Sequence, residues 1–222
     1  TDEGVARIAV KRHSLHEENG LVWIYRPKTT EAPPRAPIFP LDAGMHPRVV
    51  VRVFAEAPYD EAVVGLVDPA HTPFVHRQWW WREGAKQMEK RKVFEPTALG
   101  FKMPAHAPSA NSRIYRLLGG APTTEIEFSL PALRVETVQR GARRIVGVTA
   151  VTPTEQGGAD ITHILFWDMV ALTLLRPAIA NMARNFLAQD QAILNAQNLN
   201  LSRTPHRPLY VGDPDEPAKW YY

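Results

Sequence analysis

From about residue 91 to 168 the chain runs through one β-rich segment after another, and a single long helix follows. "TALGFKMPAH", "SRIYRLLGG", "TTEIEFSLP", "LRVETVQRG", "RRIVGVTAVTP" and "ADITHILFWDMV" alternate or run rich in β-branched and aromatic residues, and several are punctuated by Gly or Pro. Sequential strands joined by short turns pair antiparallel. After Pro177, residues 178–197, "AIANMARNFLAQDQAILNAQ", read as a long helix. The pattern predicts an α+β fold, with one antiparallel sheet and helices packed on a face of it.

The earlier part adds two strands, "LVWIYR" (21–26) and "RVVVRVFAEAP", separated by "PKTTEAPPRAPIFP", whose five prolines make it an extended connector. "YDEAVVGLVDPAH" reads as a helix with acidic residues in its first turn, where they complement the dipole. At 222 residues and 45% hydrophobic, the chain can bury a sizeable core.

Two function classes drop out on composition. No apolar run approaches the ~18 residues of a membrane span, and the first residues lack a signal-type apolar stretch, so a cytoplasmic protein is expected. The net charge of +3 and the cluster Lys86, Lys90, Arg91, Lys92 read as a solvated face rather than a nucleic-acid surface. The absence of cysteine excludes disulfides, thiolate zinc sites and a cysteine-ligated iron–sulfur cluster within this chain. His, Asp and Glu remain as possible metal ligands.

"LVDPAHTPFVHRQWWW" (66–81) sets Asp68, His71 and His76 in an apolar segment. Asp68 and His71, three apart, share a helix face. His71 and His76, five apart, diverge by about 140° on an ideal helix. Pro73 supplies a break that folds both imidazoles around one point. A third ligand comes from the late helix, where Asp190 interrupts the apolar stripe Ile179, Met182, Phe186, Ile193. A buried carboxylate needs a cation or several hydrogen bonds. Two histidines and one carboxylate form the facial triad of non-haem Fe(II) oxygenases. The plainer readings are that the histidines are ordinary core or surface residues, that Asp190 faces solvent or pairs with Arg184, and that Asp68 caps the turn before Pro69.

"DPAHTPFVH" resembles the D-P-x-H-x-x-x-x-H iron motif in the catalytic domain of Rieske-type non-haem iron oxygenases. "FLAQDQAILNAQ" is similar to the helix that carries that family's third ligand, and the subgroup resembled is the α subunits related to vanillate demethylase and pheophorbide oxygenase. The resemblance implies that His71, His76 and Asp190 bind Fe(II). It implies that Asp68 hydrogen-bonds a ligand histidine and links it across a subunit boundary to a neighbouring [2Fe-2S] Rieske cluster. It implies a helix-grip (Bet v 1-like) sheet with a long C-terminal helix, and a homotrimer. O2, a hydrophobic or aromatic substrate and a reductase or ferredoxin donor complete what it implies, for hydroxylation or O-demethylation. Two departures stand out. Gly65 occupies a position where the family often has asparagine, and the Rieske domain's Cys and His ligands are absent. "EENGLVWIYRP" resembles the last strand of a Rieske domain. Residues 1–40 are therefore expected to be the tail of such a domain plus a Pro-rich connector, and residues 41–222 the mononuclear iron domain.

Trp79, Trp80 and Trp81 follow closely on His76, and Phe128, Trp167 and Met103 are expected to share a pocket wall with them. The competing reading makes these aromatics core or subunit interface. His163 in "ITHILFW" faces a ligand cavity or is a satisfied sheet histidine. Three other classes stay open: a metal-free helix-grip carrier, a zinc hydrolase using the same three ligands, and a structural or regulatory domain.

Overall fold

The structure is a computed structural model and describes residues 13–25, 35–76, 92–107, 121–205 and 208–222. The chain divides into two compact units, Thr1–Pro40 and Leu41–Tyr222. In the first, strands β1 (Ser14–Glu18) and β2 (Leu21–Tyr25) form an antiparallel hairpin. Asn19 and Gly20 turn it, with φ of 56° and 73°, the backbone that a tight two-residue hairpin turn requires.

The second unit is built on seven antiparallel strands: β3 (Pro47–Ala55), β4 (Glu95–Thr97), β5 (Gly100–His106), β6 (Thr123–Ser129), β7 (Leu133–Arg140), β8 (Arg143–Pro153) and β9 (Ala159–Trp167). Their order across the sheet is β3-β9-β8-β7-β6-β5-β4, so consecutive strands are neighbours except where β3 joins the far side. The helices are α1 (Tyr59–Val67), α2 (Thr72–Val75), α3 (Val170–Leu174), α4 (Arg176–Leu201) and α5 (Glu216–Tyr221). The expected antiparallel sheet with a long C-terminal helix is what the chain forms. "TALGFKMPAH" differs in detail: its single expected strand is two, β4 and β5, turning at Ala98 and Leu99. "SRIYRLLGG" lies outside the described residues.

Residues directly opposed across antiparallel strands share a face. Val49, Val51, Phe101, Phe128, Val151 and Ile161 point to the side that α4 covers with Leu187 and Leu194, and all belong to one buried cluster. On the reverse face Val146, Val148, Ile164 and Phe166 are buried as well. This explains why β8 and β9 read as nearly continuous apolar runs rather than as alternating strands.

The amide-rich sequence of α4 has a mechanical role. Among the described residues strand β3 is the sheet's edge, with no strand partner on its outer side. Gln191 donates to the carbonyl of Phe54, Asn198 donates to the carbonyl of Glu56, and Asn195 accepts the N–H of Glu56 at 2.8 Å. A fourth amide, Gln197, donates to Glu61 of α1 at 2.9 Å. These bonds fix the rotation of α4, and with it the direction of Asp190. The helix begins two residues earlier than its sequence suggests, with Pro177 inside its first turn, where a missing N–H costs nothing. The expected stripe also slips at its end: Ile193 is 49% exposed, whereas Leu194 is 6% exposed and packs inward.

Among the described residues no helix is long and apolar enough to cross a membrane. Leu194→Ala should cost about 2–4 kcal/mol by opening a cavity. Ile193→Ala should stay within about 0.5 kcal/mol. Denaturant melts of the two variants check this phase of α4.

Candidate metal centre

Helix α1 stops at Val67 because Pro69 follows Asp68 and cannot continue it. Asp68 takes an extended backbone, and its N–H closes the helix on Val64 at 3.0 Å. The chain turns there, with the Asp68 carboxylate accepting the Ala70 N–H at 2.7 Å. A new single turn, α2, follows, with His71 just before it and His76 just after. The break therefore lies at Pro69. Pro73, expected to separate the histidines, instead sits in the first turn of α2, where proline is tolerated. One helical turn brings the two rings back to the same side, with centroids 5.4 Å apart.

Each imidazole is held by its Nδ1. His71 donates from Nδ1 to the backbone carbonyl of Asp68 at 2.6 Å. His76 Nδ1 lies 3.3 Å from Oε1 of Gln189 on α4, which accepts its hydrogen. Phe186, one turn earlier on the same helix, stacks on His76 at 3.5 Å with planes 18° apart. Both Nε2 lone pairs are thereby aimed at one place. Asp190 Oδ1 is there, 3.6 Å from His71 Nε2 and 3.3 Å from His76 Nε2.

Burial sets the electrostatics of this cluster. Burial pushes the Asp190 carboxyl up to about 7, and the positive charge of Arg134 pulls only partly the other way. Burial and the neighbouring His71 lower His76 to about 3, and burial also lowers His71. His76 Nε2 is fully buried and has no hydrogen-bond partner, a state that costs about 1–3 kcal/mol for a buried polar atom. Two neutral imidazoles presenting lone pairs, with one carboxylate among them, are the donor set of a divalent transition-metal ion. The ligand atoms of His71, His76 and Asp190 all lie within 4.8 Å of one another. Asp190 faces the imidazoles, and Arg184 is exposed.

The other expected residues fall as follows. Asp68 keeps its carboxylate 3.9 Å from His71 Nδ1, and its own main chain takes that proton. Phe128 and Trp167 are buried in the core, Phe128 against the rings of Phe101 and Tyr221, and Trp167 with its indole N–H on Thr173 at 3.1 Å. Met103 is also buried. His163 is half-buried on the helix-facing side of the sheet and shares a 2.8 Å hydrogen bond with Thr149. Trp79, Trp80, Trp81, Lys86, Lys90 and Arg91 lie outside the described residues. Gly65 has a packing role: a Cβ there would come within 3.0 Å of Leu194, so its absence lets α4 approach α1. Gln189 was not singled out from the sequence, although its place one residue before the buried aspartate was a signal for it.

A family model, the vanillate O-demethylase oxygenase C-terminal domain, matches residues 55–216. The chain belongs to this family. It is a family of catalytic domains from Rieske-type non-haem iron oxygenases, and the resemblance carried by "DPAHTPFVH" holds. Solved structures of the same fold include NdmA of Pseudomonas putida CBB5 with caffeine, 14% identical, with a TM-score of 0.66 over 97% of this chain and 61% of that one. Dicamba monooxygenase with non-heme iron and dicamba is 15% identical, with a TM-score of 0.62 over 93% of this chain and 65% of that one. The quaternary ammonium Rieske monooxygenase CntA with an inhibitor is 10% identical, with a TM-score of 0.53 over 71% of this chain and 40% of that one. The chain thus spans less than two thirds of each of these relatives. No curated protein matches its sequence.

Burial, with the charge of Arg134, lowers His163 to about 4. The unfolded imidazole protonates near pH 6.5, so the unfolded state binds more protons between about 6.5 and 4. Stability should therefore fall as pH drops through that window and level off below it. NMR titration should find His163 neutral at pH 5.5, and His163→Gln should remove its share of the slope.

Proposed function

We propose that His71, His76 and Asp190 hold a mononuclear Fe(II), and that this chain is the catalytic domain of an oxygenase acting on an aromatic or other hydrophobic molecule by hydroxylation or O-demethylation. The observation that carries the reading is the convergence of two fixed Nε2 lone pairs and a buried carboxyl group on one point. Family membership favours iron over zinc for that point, and one relative of the same fold is described with non-heme iron. A metal-free carrier would leave His76 Nε2 unsatisfied and Asp190 destabilised for no return.

A ferrous ion held there would supply dioxygen activation, which no side chain can perform. The protein's own residues do the positioning. Asp68 O and Gln189 Oε1 hold the Nδ1 protons, which fixes both tautomers and raises the basicity of both Nε2 atoms. Phe186 covers His76 and keeps water from one side of it. The Asp68 carboxylate is one-third exposed beside His71, a place suited to relaying electrons from a Rieske cluster, which this chain cannot ligate without cysteine. Residues 1–40 fit the tail of a Rieske domain and its connector, and residues 41–222 the iron domain. A reductase or ferredoxin would supply the electrons. A homotrimer in the cytoplasm, with one subunit's cluster beside the next subunit's iron, completes the proposal.

Anaerobic titration should find about one Fe(II) per chain, lost in folded His71→Ala, His76→Ala and Asp190→Ala. No iron on the folded wild type would overturn the assignment. Gln189→Leu should weaken iron binding by about 10–100-fold without abolishing it. In the full-length protein Asp68→Ala should keep the iron and lose its reduction by the Rieske centre, which rapid-freeze spectroscopy resolves.

A further inference from the structure

The three candidate ligands take their direction from two separate elements. Asp190 lies on α4, and the His76 ring is held there by Gln189 and Phe186. His71 depends on α1. Asp68 continues that helix through its N–H on Val64, and its carbonyl accepts the His71 Nδ1 hydrogen at 2.6 Å. A tilt of α1 would therefore move the His71 nitrogen against the other two groups.

The local sequence does little to fix that tilt. Helix α1 follows Pro58, whose side chain cannot cap it, and has only nine residues. A helix that short is marginal on its own, so tertiary contacts set its direction. Two of them meet at adjacent residues of its first turn. Gln197 of α4 donates to Glu61 at 2.9 Å, and the hydroxyl of Tyr221, the last residue of α5, donates to Asp60 at 2.6 Å. A hydroxyl on a carboxylate at that distance is a charge-assisted bond.

Tyr221 reaches Asp60 from the sheet. Its ring meets Phe128 of β6 edge to face, with centroids 6.1 Å apart and planes at 79°. Its neighbour Trp220 meets Phe101 of β5 at 5.7 Å and 86°, and donates its indole N–H to Glu216 at 2.7 Å. Pro217 and Ala218 of the same helix are buried. The turn into α5 is tied as well, since the Asp215 carboxylate accepts the N–H groups of Val211 and Gly212 at 3.0 and 2.8 Å. Tyr221 thus spans from the sheet to α1. A phenylalanine would fill the same space against Phe128, so the hydroxyl is the part that engages α1. Its bond to Asp60 lies at the surface, where it contributes modestly to stability. What it adds is a direction.

We propose that Tyr221 is a positioning residue for the metal centre. It pins the first turn of α1 to the β5–β6 side of the sheet, and through Asp68 it sets where His71 presents Nε2. The proposal rests on the three-ligand reading only for calling that nitrogen a ligand.

The test follows the two imidazoles separately. In the isotope-labelled, metal-free chain, NMR reads the exchange of the His71 and His76 Nδ1 hydrogens with water. Tyr221→Phe keeps the ring and removes the hydroxyl. It should speed exchange at His71 several-fold and leave His76, which α4 holds, at its wild-type rate. Asp60→Ala should do the same, and Asp60→Asn, which keeps an oxygen acceptor, should restore the wild-type pattern. Fe(II) affinity should fall about three- to tenfold in Tyr221→Phe, less than in Gln189→Leu, because the hydroxyl acts through α1 and not on a ligand. Thermal melts should place Tyr221→Phe close to the wild type. Unchanged exchange at His71 or unchanged Fe(II) affinity in Tyr221→Phe overturns the positioning role. So does equal acceleration at both histidines, which would mark a residue that serves general stability. No Fe(II) on the folded wild type overturns the metal reading instead, and the exchange rates then decide the role of Tyr221 on their own.

Discussion

The second unit, Leu41–Tyr222, brings three electron-rich groups together at one point: His71, His76 and Asp190. Two imidazole lone pairs and a carboxylate cannot be drawn together in a low-dielectric interior without cost, and burial alone pushes the Asp190 carboxyl up to about 7. The fold meets it from two directions. On the loop side, a broken helix confines both histidines to a single turn, and main-chain and amide acceptors lock their rings. On the helix side, three amides of α4 grip the end of β3 and the residue after it, and a fourth reaches α1, so Asp190 is held in place. Stability is held in surrounding contacts while the centre stays strained. That is the condition in which a site binds a cation strongly, because the ion relieves a repulsion already present in the folded state.

The local half of this design was legible from the sequence. Strand and helix periods, the spacing of Asp68, His71 and His76, and an aspartate in an apolar stripe all report short-range chemistry. The errors were also short-range and have plain causes. Pro69 and Pro73 compete to end the helix, and the first one wins because a proline in the opening turn of α2 does no harm. Ile193 and Leu194 are equally apolar, so composition cannot choose between them, and the amide bonds to β3 decide the phase.

Less was visible where a property depends on pairing. In "LRVETVQR" the apolar Leu133 and Val135 suggest an inward row and the charged Arg134 and Glu136 an outward one, yet Arg134 and Glu136 face the helix. Only the register with β6 and β8 reveals this inversion. A strand that turns its charges towards the core breaks the rule by which sheets are stabilised, and such violations are expected at functional sites. His163 was noticed for the same reason, as a polar residue in an apolar strand. Its partner Thr149 was not, because threonine is ordinary in strands. Gln189 escaped notice because a glutamine in an amide-rich helix looks like any solvated residue.

The metal centre and the sheet face consequently differ in how the sequence can change them. The metal side depends on a nine-residue segment and one helical turn, where a substitution alters a ligand or the acceptor that aims it. The sheet side depends on β7, β8 and β9, whose inward positions can exchange side chains while every backbone hydrogen bond stays in place. Side chains on that face can therefore change without disturbing the candidate ligands. Arg134 is the exception, since its charge reaches both sides. Replacing it would change the field at His71 and Asp190. Charge at this position on β7 is thus more constrained than the rest of the row, and substitution is expected first at Thr149, Gly147 and His163.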